Sequence, residues 1–224
     1  DGAGTILFTG MAGIPTIQPA TELPPLSAPI VIDGATAGGR LVELDGSLAG
    51  SSSGLTLAGG GSTVEGLVIN NFGEHGIVVL SSGNLIEGNR IGTDPAGVTA
   101  EPNTYVGVWI DGASVAAQDN TIRANLISGN GNYGVYIDGA LASNNALEAN
   151  YIGVDVTGSA FLSNNAEGVG IYDASYNRIG GASLSQRNII SANYSDGIWI
   201  AGSAAGNLVQ GNLIGTDAWG QTGL

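Results

Sequence analysis

The sequence predicts an all-β parallel solenoid of about eight stacked coils, and three observations predict it. A Gly followed by an apolar–x–apolar triplet recurs six times from Gly54 onward. Between these bursts, pairs of Asn recur five residues apart. Residues at matching positions of successive copies are alike, as parallel in-register stacking at ~4.8 Å per coil requires.

The opening, residues 1–53, is the irregular part and reads as an N-terminal cap plus the first coils. Thr5-Ile6-Leu7-Phe8, Pro29-Ile30-Val31-Ile32 and Arg40-Leu41-Val42-Glu43-Leu44 read as strands, two of them closed by the turn pairs Asp33-Gly34 and Asp45-Gly46. Pro15, Pro19, Pro24, Pro25 and Pro29 crowd the region, and proline blocks further strand addition at an edge.

Residues 54–224 are the regular repeats. The Gly–apolar–x–apolar bursts begin at Gly54, Gly76, Gly107, Gly134, Gly168 and Gly197, so the intervals are 22, 31, 27, 34 and 29 residues. Constant strands joined by corner loops of variable length explain that irregularity. The second half of each repeat is tighter. Asn84/Asn89, Asn120/Asn125, Asn145/Asn150 and Asn207/Asn212 are each five apart, and Asn177/Asn188 are eleven apart, which places an insertion around Gly180–Ser183. Ser62 and Leu67 hold the two positions in the first repeat. Ile91, Ile127, Ile152, Ile190 and Ile214 align, as do Ile86, Ile122, Leu147, Ile179 and Val209, with Glu87, Arg123, Glu148, Gly180 and Gln210 beside the latter. Period-two alternation makes the aliphatics face inward and the polar column outward. The Asn pairs are expected at buried corners, bonded to the backbone and to one another. Arg123 is expected between Glu87 and Glu148 on an outer face.

A two-coil super-period is also present. Ile91-Gly92-Thr93-Asp94, Ile152-Gly153-Val154-Asp155 and Ile214-Gly215-Thr216-Asp217 alternate with Ile127-Ser128-Gly129-Asn130 and Ile190-Ser191-Ala192-Asn193. The chain closes at Leu224 inside such a repeat, so a fragment of a longer solenoid, or end-to-end stacking on the C-terminal coil, is expected.

The phrases Asn-x-Ile-x-Gly-Asn-x-Ile-Gly-Thr-Asp and Arg-Asn-Ile-Ile-Ser-x-Asn resemble the right-handed parallel β-helix repeats of the pectin-lyase-like superfamily, above all those of large secreted or surface-anchored bacterial proteins. The resemblance covers residues 54–224 and implies a right-handed parallel β-helix forming one domain over 1–224. It does not fix a function, because this fold carries lyases, hydrolases, epimerases, adhesins and passive stalks.

Composition narrows the choice. The 224 residues include no Cys and no Lys; Arg40, Arg90, Arg123, Arg178 and Arg187 face 19 acids, for a net charge of −14. Phosphate repulsion then argues against nucleic acid, and no apolar run approaches the ~20 residues of a membrane span. No thiol chemistry is available, and His75 stands alone without a zinc-binding partner motif. Lysine-dependent elimination, which the resemblance would bring for several lyases, has no residue to perform it. An acidic, Gly/Asn/Ser-rich composition favours an extracellular or cell-surface location.

Chemistry-bearing residues concentrate on the Gly–apolar–x–apolar strands. The outward middle column reads Val78, Trp109, Tyr136, Gly170, Trp199, and the next outward column Leu80, Asp111, Asp138, Tyr172, Ala201, with Asp173 adjacent. Rings stack on the apolar faces of sugars and carboxylates accept hydroxyl hydrogen bonds, so Trp109, Asp111, Tyr136, Asp138, Tyr172 and Trp199 form a candidate polysaccharide or surface-glycan track. Aromatics are also favoured on strands for packing alone, and Asp111-Gly112 and Asp138-Gly139 also make ordinary turns. Asp111, Asp138 and Asp173 are the candidate catalytic carboxylates, since neighbouring coils bring two carboxyls near the ~5–5.5 Å of retaining glycosidases. Asp94, Asp155 and Asp217 each open an Asp-x-x-Gly turn and are the candidate Ca²⁺ ligands; loops two coils apart are expected ~9.6 Å from one another, too far to share an ion. No cofactor is expected. The expected function is a non-catalytic stalk or adhesin-like module that contacts glycans, with a polysaccharide hydrolase as the alternative.

Overall fold

The computed structural model describes residues 4–9, 13–36 and 41–224. Arg40 and the opening Asp1-Gly2-Ala3 lie outside the described residues. Twenty-two strands of two to four residues form three parallel sheets of eight, eight and six strands, with three short 3-10 turns and no α-helix among the described residues. Six coils give one strand to each sheet in turn, and the first and last give strands to the first two sheets. The first sheet runs from Gly4–Leu7 to Leu208–Gln210, the second from Thr16–Ile17 to Leu213–Ile214, and the third from Leu55–Leu57 to Ile198–Ala201.

The register is the one the repeats predict. Ile91 pairs with Ile127, Ile127 with Ile152, Ile152 with Ile190 and Ile190 with Ile214 in the second sheet. Ile86, Ile122, Leu147, Ile179 and Val209 do the same in the first. Side chains from the three sheets meet on the axis, so Ile86, Ile91, Ile122, Ile127, Leu147 and Ile152 are fully buried, each contributing roughly 1.5–3 kcal/mol. In the last coil the same columns reach solvent at Val209 and Ile214.

The opening joins this stack directly: Gly4–Leu7 pairs with Ile30–Asp33, and Thr16–Ile17, which the sequence pattern does not single out, with Glu43–Leu44. A lone bridge from Leu26 to Leu57 stands in for a strand of the third sheet. The predicted strand ending at Leu44 is Val42–Asp45, and Asp45 caps the following 3-10 turn by accepting from the Ser47 amide.

Three asparagine ladders hold the corners. In the first, Asn84, Asn120, Asn145, Asn177 and Asn207 each present Oδ1 to the backbone amide of the preceding rung, and the side-chain amide of that rung donates to the same oxygen. Asn89, Asn125, Asn150, Asn188 and Asn212 repeat the pattern five residues on. Ser62 and Leu67 start these ladders through their backbone amides. The third ladder, Asn103, Asn130, Asn164 and Asn193, was not among the predicted pairs. It sits where the chain enters the third sheet. Each rung also spends its amide on a backbone carbonyl, such as Asn164 Nδ2 on Ile127, so these buried polar groups are satisfied.

The ladder explains the Gly that opens each burst. A Cβ on Gly134 would lie 2.7 Å from the Gly168 carbonyl oxygen, 2.7 Å from Ile152 Cγ2 and 2.8 Å from Asn164 Nδ2. Gly76, Gly107 and Gly168 are enclosed in the same way.

Arg123 stands between Glu87 and Glu148 in the register, as expected. It bonds Glu87, and Glu148 pairs with Arg178 of the next coil at 3.1 Å, because a long guanidinium reaches a diagonal neighbour as easily as an opposite one. One expectation is corrected. The Asp-bearing loops two coils apart are not held away from each other. The Val156 amide donates to the Gly97 carbonyl and the Ala218 amide to the Gly158 carbonyl, both at 2.9 Å. Each loop is a small hairpin, bridged at Thr93/Ala100, Val154/Phe161 and Thr216/Gly223, long enough to lean over the short corner of the coil between. The insertion after Gly180 is the 3-10 turn Leu184–Gln186, closed by a capping box between Ser183 and Gln186.

Candidate functional site

The third sheet turns its outer face to solvent, and its register brings the predicted residues together. Val78, Trp109, Tyr136, Gly170 and Trp199 are consecutive partners, and Asp111, Asp138, Tyr172 and Ala201 form the neighbouring column. The inward residues of the same strands, Val108, Ile110, Val135, Ile137, Val169 and Ile171, are fully buried. Burial of those positions fixes which side the rings and carboxylates take.

The rings are grouped. Trp109 packs tilted against His75 with centroids 4.8 Å apart, and Tyr105 is tilted against His75 at 5.6 Å. Tyr136 stacks on Tyr133 at 4.7 Å. Tyr172 and Trp199 are almost parallel, 7° apart, at 5.9 Å. Gly170 interrupts the ring column for a steric reason: a Cβ there would sit 2.7 Å from Tyr133 Cε1 and 2.9 Å from Tyr136 Cδ2.

His75, Tyr105 and Tyr133 were not predicted as part of this face. They sit at the corner just before the strand, beside Gly76, Gly107 and Gly134. An aromatic or His one or two residues ahead of the repeating Gly is the signal that marks them.

Electrostatics separates the carboxylates. Half-burial pushes the Asp138 carboxyl above the usual Asp range, reinforced by Asp111 and Asp173 and opposed by the Gly139 amide. Tyr136 is pushed up to about 12 by burial, with Asp138 adding to it. Asp111 accepts the Ala113 amide at 2.9 Å in a local turn. Asp173, candidate of the same set, turns instead to the next coil and accepts the amide and hydroxyl of Ser203 at 2.7 and 2.9 Å. Those two donors hold it below its ordinary value. Burial holds His75 below its ordinary value, with Glu74 opposing, and its Nδ1 accepts the Val106 amide at 3.3 Å. Among the described residues, the Trp109 indole nitrogen is buried with no hydrogen-bond partner.

The candidate Ca²⁺ ligands are spread along the loop stack, each serving its own hairpin. Asp94 accepts the amides of Val98 and Thr99, Asp155 those of Ser159 and Ala160, and Asp217 those of Trp219 and Gln221. No three His, Cys, Asp or Glu among the described residues gather as a metal-binding group.

The family described as "Right handed beta helix region" matches residues 51–214. The chain belongs to the right-handed β-helix family. The crystal structure of an alginate lyase from Paenibacillus sp. str. FPU-7 is similar to this β-helix over 88% of each chain, at 17% identity and a TM-score of 0.25. A likeness of that degree has no bearing on substrate. No curated protein matches this β-helix at a significant level.

Proposed function

We propose that this β-helix is a non-catalytic extracellular module, of the stalk or adhesin kind, that contacts a glycan along the outer face of its third sheet. The observation that carries the reading is the set of three ring groups on successive coils of that single face. Coils repeat at ~4.8 Å, close to the length of one extended sugar unit, so a chain laid along the solenoid axis meets one coil per sugar. Rings of this kind offer apolar area at low entropic cost. The test is isothermal titration against a panel of hexasaccharides, repeated with Trp109→Ala/Trp199→Ala. Binding lost in the double variant supports the reading; no binding to any hexasaccharide removes it.

A second reading has one observation in its favour. The raised Asp138 carboxyl beside Asp111 is the arrangement a glycosidase uses to separate an acid from a carboxylate. Asp173, bound to Ser203, adds its charge to the rise of Asp138. Product release from a polysaccharide panel, abolished by Asp138→Asn, would replace the non-catalytic reading with this one.

A further inference from the structure

The ring face is acidic, and none of the four described arginines stands on it. Glu74, Asp111, Asp138, Glu167 and Asp196 lie on its strands and leading corner, and Asp173 just past a strand end. Arg123 and Arg178 stand on the first sheet, paired with Glu87 and Glu148. Arg90 opens a strand of the second sheet and donates to the Pro95 carbonyl, and Arg187 donates to the Gly211 carbonyl at the corner between those sheets. The chain has no Lys. Among the described residues the basic group of the face is His75, whose Nδ1 is taken as an acceptor and which burial disfavours as a cation.

Resting on the reading of this face as a glycan track, we propose that its ligand is a linear polysaccharide bearing protonated amino groups, of the β-linked glucosamine type. A polyuronate would bring carboxylates against carboxylates with no described arginine on the face to bridge them, and like-charge juxtaposition disfavours such a partner. A neutral glycan would use the rings and leave the charge idle. An amino sugar keeps the apolar ring face that stacks on Trp109, Tyr136 and Trp199, and adds an ammonium that fits both the carboxylates and the ring quadrupoles. Asp111 and Asp138 are direct register partners, so two carboxylates adjoin at neighbouring coils where successive amines would lie. The mutual repulsion that raises Asp138 is relieved by a cation placed there.

The test is titration of the full chain with hexamers of glucosamine, N-acetylglucosamine and galacturonate, at low and high salt. The glucosamine hexamer is expected to bind more tightly than its acetylated form by up to ~10-fold, the scale of two partly exposed charge contacts, and the gap is expected to close in salt. Asp111→Asn/Asp138→Asn should erase the gap. Glu65→Gln/Glu148→Gln, which removes the same charge from the first sheet, should keep it. Trp109→Ala/Trp199→Ala, which leaves the charge unchanged, should weaken both amino-sugar hexamers. Equal binding of the two forms, or preference for galacturonate, would overturn the amine assignment and leave the glycan track standing. An equal loss in both carboxylate variants would reveal bulk attraction of a polycation and overturn it as well. No binding of any hexamer would remove the glycan track itself.

Discussion

Asn150 Oδ1 accepts two hydrogen bonds from Asn125, one from its backbone amide and one from its side-chain amide, both at 3.1 Å. Asn150 in turn donates to the Ile122 carbonyl at 2.8 Å. Asn150→Ala leaves two buried groups without these partners, the Asn125 backbone amide and the Ile122 carbonyl, at about 1–3 kcal/mol each before relaxation or water entry, while the Asn125 side-chain amide keeps its bond to the Ile86 carbonyl. The expected result is a fall in unfolding free energy of at least about 2 kcal/mol in guanidinium titration. A loss below about 0.5 kcal/mol would mean the ladder is not a stabilising device.

Gly134→Ala tests the close approach of coils. Its φ is not in the left-handed region, so the cost is steric: the added methyl meets the Gly168 oxygen and Ile152 Cγ2 at 2.7 Å. Overpacking of this kind costs about 1–3 kcal/mol. Gly50, at φ 69° with open space around it, is the contrast: Gly50→Ala should cost through backbone strain alone, roughly 1 kcal/mol. Thermal melts of the two variants check the order.

The Glu87–Arg123 pair should matter little. The Arg123 side chain is 50% exposed, and exposed pairs contribute about 0–1 kcal/mol. Arg123→Ala is expected to shift the midpoint of unfolding only slightly, with any shift shrinking in high salt.

Acid has opposite effects at two kinds of aspartate. For Asp155, burial alone would raise the carboxyl, but the Thr157 hydroxyl and the Ser159, Ala160 and Thr157 amides outweigh it and hold it low. Asp94 and Asp217 are also held low by their loop amides. A depressed value means stability that is present above the ordinary Asp value and is lost as pH falls through the folded-state value. Asp138 is raised, so the native state keeps its proton longer than the unfolded chain and stability falls as pH rises through that window. Melting temperature against pH should therefore drop on acidification below about pH 4, with a shallower drop in Asp155→Asn. Asp138→Asn should stabilise at neutral pH and lose that gain in acid. A destabilised Asp138→Asn at neutral pH would contradict the sign.

The parts of this molecule that were legible in the sequence are those set by period. Ile at 91, 127, 152 and 190 has one reason to recur, the shared core, and the register followed from it. The outward column at Trp109, Tyr136 and Trp199 was legible for the same reason. The third ladder was harder to see because Asn103, Asn130, Asn164 and Asn193 sit four residues before the repeating Gly, in loops whose lengths differ. Its spacing to that Gly is constant while its spacing to the other two ladders is not. The pairing of Glu148 with Arg178, and the packing of His75 against Trp109, depend on side-chain reach, which no periodicity encodes.

The contact between hairpins two coils apart carries a consequence for how such a chain can change length. Duplicating or deleting one coil would keep every asparagine rung but would set an Asp-bearing hairpin directly over another, in the space now taken by the short corners at Ser128–Asn130 and Ser191–Asn193. Gain or loss of two coils, the 61 residues from Asp94 to Asp155 or the 62 from Asp155 to Asp217, preserves both the ladders and the hairpin stack. A coil pair is therefore the step by which this β-helix can change length without breaking either its ladders or its hairpin stack.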